Sequence, residues 1–185
     1  MSYYEPSITM LSSFDCEPAT NYGSMHSYNC TLIRAQPLPS TRTGYYTANI
    51  FEAPKAEKIA AVGFLLDKPR SVQGQYELSV YMLNHDPADP QDGTLVCHTE
   101  GSVELSGFYT VKLPESISVE NGQKYSVVMK TSAGVGCFFD DVSYKEGVLY
   151  YAYHSAVQKP IEWTDCFDTE FGDACIQVYT EYEGE

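Results

Sequence analysis

The 185-residue chain carries 25 Asp and Glu against 11 Lys and Arg, a formal net charge of −14. Such a surface repels phosphate, which argues against nucleic acid and anionic membrane as partners. With 43% hydrophobic residues it is an ordinary globular chain, long enough to bury a core without metal or disulfide staples.

Residues 1–29 are polar and turn-rich, with Asn21-Tyr22-Gly23-Ser24, and read as an irregular N-terminal arm packing on a domain that spans 30–182, with 183–185 as a tail. The first residues have neither the basic nor the apolar region of a signal peptide. Residues 56–66 have enough Ala, Leu and Glu to pass for a helix, but Val62, Phe64 and Leu66 alternate, Gly63 interrupts and Pro69 closes the run. The spacing predicts a strand.

Clear alternation follows. Tyr76, Leu78, Val80 and Met82 share one face, and Glu77, Ser79 and Tyr81 the other. The polar turn 84–93 leads to a strand over 94–99, then to one over 107–113 with Tyr109, Val111 and Leu113 together. Asn121-Gly122 marks a tight turn into 124–130, where Tyr125, Val127 and Met129 face inward. Short strands are expected at 136–139 and 148–153, and 174–182 closes the domain with Ile176, Val178 and Thr180 on one face. Short strands separated by turns, with no convincing helix, predict an all-β fold: a two-sheet antiparallel β-sandwich.

Chemistry-bearing patterns are few. The histidines His26, His85, His98 and His154 have no metal-motif spacing, and no nucleophile-elbow, zinc-protease or catalytic-cysteine signature is present, so no catalytic residue is named. Asp86, Asp89 and Asp92 place three carboxylates in one turn, a candidate calcium loop; the EF-hand pattern is not matched, and Pro87 and Pro90 favour an ordinary hairpin tip. Otherwise no cofactor is expected. Adjacent Asp140 and Asp141 could share a cation in a loop, although a solvated loop is the favoured reading. Six cysteines without a Cys-x-x-Cys pair permit disulfides, with Cys166 to Cys175 the nearest local pairing and Cys16 to Cys30 the next. From 161 to 185 there are eight acidic residues and no Lys or Arg, read first as a solubilising face.

Aromatic residues are the richer signal. Sixteen tyrosines stand against a single tryptophan, Trp163. Sugar rings stack their C–H faces on aromatic planes, and Tyr151 and Tyr153, two apart on a strand, would share a side. A core role competes for each of them.

Taken in order, Ala48-Asn49-Ile50-Phe51, Ala61-Val62-Gly63-Phe64, Gly93-Thr94-Leu95-Val96, Gly107-Phe108-Tyr109-Thr110-Val111, Gly122-Gln123-Lys124-Tyr125-Ser126-Val127-Val128, Trp163-Thr164-Asp165 and Cys175-Ile176-Gln177-Val178-Tyr179 form a familiar set. Over 45–182 the chain resembles the lectin-like domain found beside papain-type cysteine peptidase domains in secreted and surface proteins of anaerobic Firmicutes. The resemblance implies a jelly-roll-like sandwich, an extracellular or cell-surface location, and binding of polysaccharide or cell-wall glycan. The expected function is therefore a non-catalytic, carbohydrate-binding module of a larger bacterial protein. Trp163, Tyr151 and Tyr153 are the first candidates for ligand binding, then Asp140 and Asp141. The alternative is a structural or protein-interaction domain packing against a neighbouring peptidase or other catalytic domain.

Overall fold

Alternation of apolar and polar side chains organises the chain into two antiparallel sheets with the apolar rows turned toward each other. The computed structural model describes residues 18–28, 36–37, 44–84, 88–139, 145–153, 161–168 and 174–182. In chain order the strands are β1 (Met25–Ser27), β2 (Gln36–Pro37), β3 (Tyr45–Glu52), β4 (Glu57–Asp67), β5 (Gly74–Leu83), β6 (Gly93–Val103), β7 (Gly107–Val119), β8 (Lys124–Thr131), β9 (Gly136–Phe139), β10 (Leu149–Tyr153), β11 (Thr164–Asp165) and β12 (Ile176–Thr180). Short 3-10 turns occupy Ala19–Asn21 and Cys166–Asp168, and the described residues contain no α-helix. Hence no helix among the described residues is long and apolar enough to cross a membrane.

The first sheet runs β1-β12-β4-β9-β2, with β7 also paired to β4; the second runs β11-β10-β3-β8-β5-β6. Residues 57–66 all lie in β4, the strand that their alternation predicts. Val62, Phe64 and Leu66 from β4, Leu78 and Val80 from β5, Tyr125, Val127 and Met129 from β8, and Ile176 and Val178 from β12 meet in one core between the sheets. This is the two-sheet β-sandwich expected from the sequence. Asn49 also lies buried between the sheets, where its Nδ2 donates to the Ala174 carbonyl at 3.2 Å.

One strand outruns its expected bounds for a clear reason. β7 runs on past 113 because β4 accommodates it with an irregularity: Lys112 pairs with Ala61 and Ile117 with Ile59. Pro114, which cannot donate to a ladder, sits inside that bulge. The Asn121-Gly122 turn is real, with Gln123 N donating to Glu120 O at 3.1 Å. Only Gly122 has positive φ (76°), which is the signature of a type II turn and not of the I′ turn that Asn-Gly often forms.

Candidate functional site

In a sandwich the outer face of each sheet is normally polar, yet the second sheet has a buried apolar cluster on its outside. Ala48 and Ile50 of β3, Leu83 of β5, Val128 of β8 and Tyr150 of β10 form it, joined by half-buried Tyr46, Tyr81 and Trp163. Two segments cover this cluster. The β5–β6 connection folds back so that Ser126 Oγ donates to the Pro90 carbonyl and Gln91 Nε2 donates to the Tyr81 hydroxyl at 3.0 Å. The connection is shaped by a local turn, in which Gln91 N donates to Asp89 Oδ1 at 2.8 Å and Asp92 N to Asp89 O at 3.0 Å. From the other side comes 161–163, which sets the Trp163 ring edge-on to Tyr46 with centroids 6.1 Å apart.

Between these covers lies an open depression of about 560 Å³, lined by Ala88, Asp89, Gln91, Asp92, Ile161 and Trp163. It combines one large aromatic side chain with two exposed carboxylates and an amide. Trp163 Nε1 is buried and has no acceptor among the described residues. Beyond Tyr46 the face turns polar. Lys130 Nζ lies 6.0 Å from the Tyr46 centroid and 2.6 Å from Glu77 Oε1. The hydrogen bond to Glu77 raises the Lys130 pKa, against the opposing pull of desolvation.

The structure thus unites candidates that the sequence kept apart. Asp89 and Asp92, read as calcium ligands, meet Trp163, read as a sugar platform, across about seventy residues of chain. It does not bring Tyr151 to that place. Tyr151 packs on the core between the sheets, whereas its neighbour Tyr150 points to the outer cluster that Trp163 covers. Tyr153 is placed opposite Tyr45 at the end of β10, but its side chain lies outside the described residues. So do Asp86, Asp140, Asp141, Cys16 and Cys30. Cys166 and Cys175 are both buried. Cys97 is a half-buried thiol whose pKa burial pushes up. Among the described residues no group of three or more His, Cys, Asp or Glu side chains is placed to hold a metal ion.

Two further polar arrangements escaped the sequence reading. Ser79 Oγ lies 3.0 Å from His98 Nδ1 on the exposed face of β5 and β6. At one end of the core, His26 Nε2 is 2.8 Å from Glu57 Oε1, with the Glu57 side chain only 3% exposed. That contact has the distance of an ion pair without the alignment of a hydrogen bond, and both Glu57 oxygens and the nearby Tyr125 hydroxyl have no hydrogen-bond partner among the described residues. Burial first, then the charge of Glu57 and then Tyr28, push the Tyr125 pKa well above the phenol range. A single Glu or His in a strand gives no sequence sign of such pairing, since the partners lie on separate strands.

A family model described as the lectin-like domain matches residues 32–137, more than half of the chain. No curated protein matches it. Among solved structures, the clostridial cysteine protease Cwp84 after propeptide cleavage matches with a TM-score of 0.65 and 18% identity, over 91% of this chain and 42% of that one. A second structure, of the cysteine protease and lectin-like domains of Cwp84, a surface layer associated protein of Clostridium difficile, gives 0.64 and 18%, over 91% and 37%. The chain therefore spans less than half the length of these solved chains, and at this identity the likeness is one of fold.

Proposed function

The chain belongs to the family of lectin-like domains, and from that membership we propose that it is a non-catalytic, carbohydrate-binding module of a larger cell-surface or secreted protein, taking its ligand at the Trp163 depression. The observation that carries this reading is the meeting of Trp163 with Asp89, Gln91 and Asp92 around one open depression. An apolar plane suits the C–H face of a sugar ring, and carboxylate and amide oxygens accept from its hydroxyls. The acidic rim and the net charge of −14 favour neutral glycans over anionic ones.

Because Trp163 is the only tryptophan, its intrinsic fluorescence reports on the site directly. Neutral polysaccharide or cell-wall glycan is expected to shift that emission saturably, and Trp163→Ala is expected to abolish binding measured by calorimetry while the far-UV spectrum stays that of a β-sandwich. A broad plant and microbial glycan panel with no binder sinks the proposal.

A second reading, a domain that packs on a neighbouring peptidase, is favoured by the solved Cwp84 chains, one of which is described by its protease and lectin-like domains together. Exposed Leu105 and Phe108, close together at the start of β7, would suit such a contact. Loss of solubility or of docking on Leu105→Ser with Phe108→Ser, and no loss on Trp163→Ala, would favour it over the first.

A further inference from the structure

Lys68 is buried, at 7% exposure, in a chain with few cations to spare. It follows β4 directly and opens the loop to β5. Its ammonium donates to the Val72 carbonyl at 2.7 Å and the Pro69 carbonyl at 3.4 Å, so the loop wraps its own cation. The loop is closed by Val72 N donating to Pro69 O at 3.0 Å. Gly74 makes room for the stem: a Cβ there would lie 2.8 Å from Lys68 Cδ and 2.5 Å from Val103 Cγ2.

An ammonium has three donors, and two are used here. Among the described residues no carboxylate pairs with Lys68, and none pairs with Arg70 two residues on. A buried charge held only by neutral carbonyls is incompletely compensated. Lys68 and Arg70 line one concavity of about 300 Å³ together with Ser71, Gln73 and Ser102, which add hydroxyl and amide donors; Glu104 also borders it, without ion-pairing to either cation. Two unneutralised cations and three neutral donors around one small pocket are the recognition set for a compact oxyanion.

We propose that the Lys68 pocket binds an oxyanion of phosphate or sulfate size, with Lys68 as the buried charge and Arg70 as the outer clamp. The site sits at the opposite end of the β5–β6 hairpin from Trp163, roughly 30 Å away at about 3.3 Å per strand residue. It is therefore independent of the carbohydrate reading. The acidity of the whole molecule opposes long-range attraction of polyanions, so binding depends on close contact and weakens with salt.

The test is a titration of inorganic phosphate into the full chain at low ionic strength, followed by the amide resonances of Ser71, Gln73 and Ser102. Saturable shifts confined to that loop and strand end are expected. Arg70→Gln, an exposed position that leaves the fold intact, should weaken binding at least fivefold; Lys68→Met should abolish it, and Trp163→Ala should leave it unchanged. Methyl phosphate and dimethyl phosphate separate the sources. Equal binding of the esters assigns the pocket to a polymer-borne group, and binding of inorganic phosphate alone assigns it to the free ion. Absence of saturable shifts, or shifts unaltered in Arg70→Gln, overturns the proposal.

Discussion

The buried contact between His26 and Glu57 offers a quantitative test of how the N-terminal strand is held. Glu57 starts β4 with its side chain 3% exposed, and His26, 22% exposed, comes from β1 and lies 2.8 Å away. Removing His26 leaves a carboxylate enclosed by Tyr125 and the core with no other aligned partner among the described residues. Leaving a buried carboxyl group without its one close polar neighbour costs about 1–3 kcal/mol, and for this side chain about 2–3 kcal/mol is expected on His26→Ala. For a domain of this size that corresponds to a fall of roughly 5–10 °C in Tm. Glu57→Gln keeps the shape and removes the charge, so in that background His26→Ala should cost less than about 1 kcal/mol. Urea denaturation of the four proteins of the cycle measures the coupling. Equal costs of His26→Ala in both backgrounds would refute a polar coupling to Glu57 and leave His26 as a packing residue only.

Three other outcomes follow from the same geometry. The Tyr125 pKa is raised in the folded state above its unfolded value near 10, so its contribution is present below that pH and lost as pH rises through and beyond it; Tyr125→Phe should flatten the alkaline fall in stability seen by circular dichroism, and an unchanged profile counts against the assignment. At Gly63 a Cβ would lie 2.6 Å from the Phe108 ring and 2.9 Å from that of Tyr179, so Gly63→Ala should cost about 1–3 kcal/mol as the rings shift; an unaltered urea midpoint contradicts that packing. Tyr151→Ala should lower stability by about 2–4 kcal/mol yet leave glycan affinity within twofold, because the ring packs inward; a tenfold loss of affinity would place it at the site after all.

The sandwich was legible because apolar side chains recur at every second position from Tyr76 to Met82 in β5 and from Tyr125 to Met129 in β8, and these rows meet in the core. Alternation fails where both faces of a strand are buried. In β10, Tyr150 and Tyr151 point to opposite sides and each finds apolar company, so the pattern separates them but cannot say which faces the core. The N-terminal arm carries a three-residue strand, β1, whose pairing with β12 is fixed by partners some 150 residues away, beyond any local signal. Lys68 carries no local sequence sign of burial; its burial comes from the loop closing over it and from the missing side chain at Gly74.

Why the depression forms at all depends on the outer apolar cluster. Had Ala48, Ile50, Val128 and Tyr150 been polar, the second sheet would have faced water and the 88–92 turn would have had nothing to fold onto. Because they are apolar, burying them draws in both Pro90 and Trp163, from segments that approach from opposite sides. Complete closure is prevented by Asp89 and Asp92, which keep solvated positions at the rim while Gln91 anchors to Tyr81. A partly closed apolar seam edged by carboxylates is thus a consequence of packing first. The chemistry that makes it a candidate sugar site, one half-buried aromatic ring beside oxygen acceptors, is what such a seam leaves at the surface. The Lys68 pocket arises differently, from a crossover loop that must pass from one sheet to the other and closes on its own ammonium. Each loop at the ends of the β5–β6 hairpin therefore acquires a surface chemistry of opposite sign, and the two sites can be tested without disturbing one another.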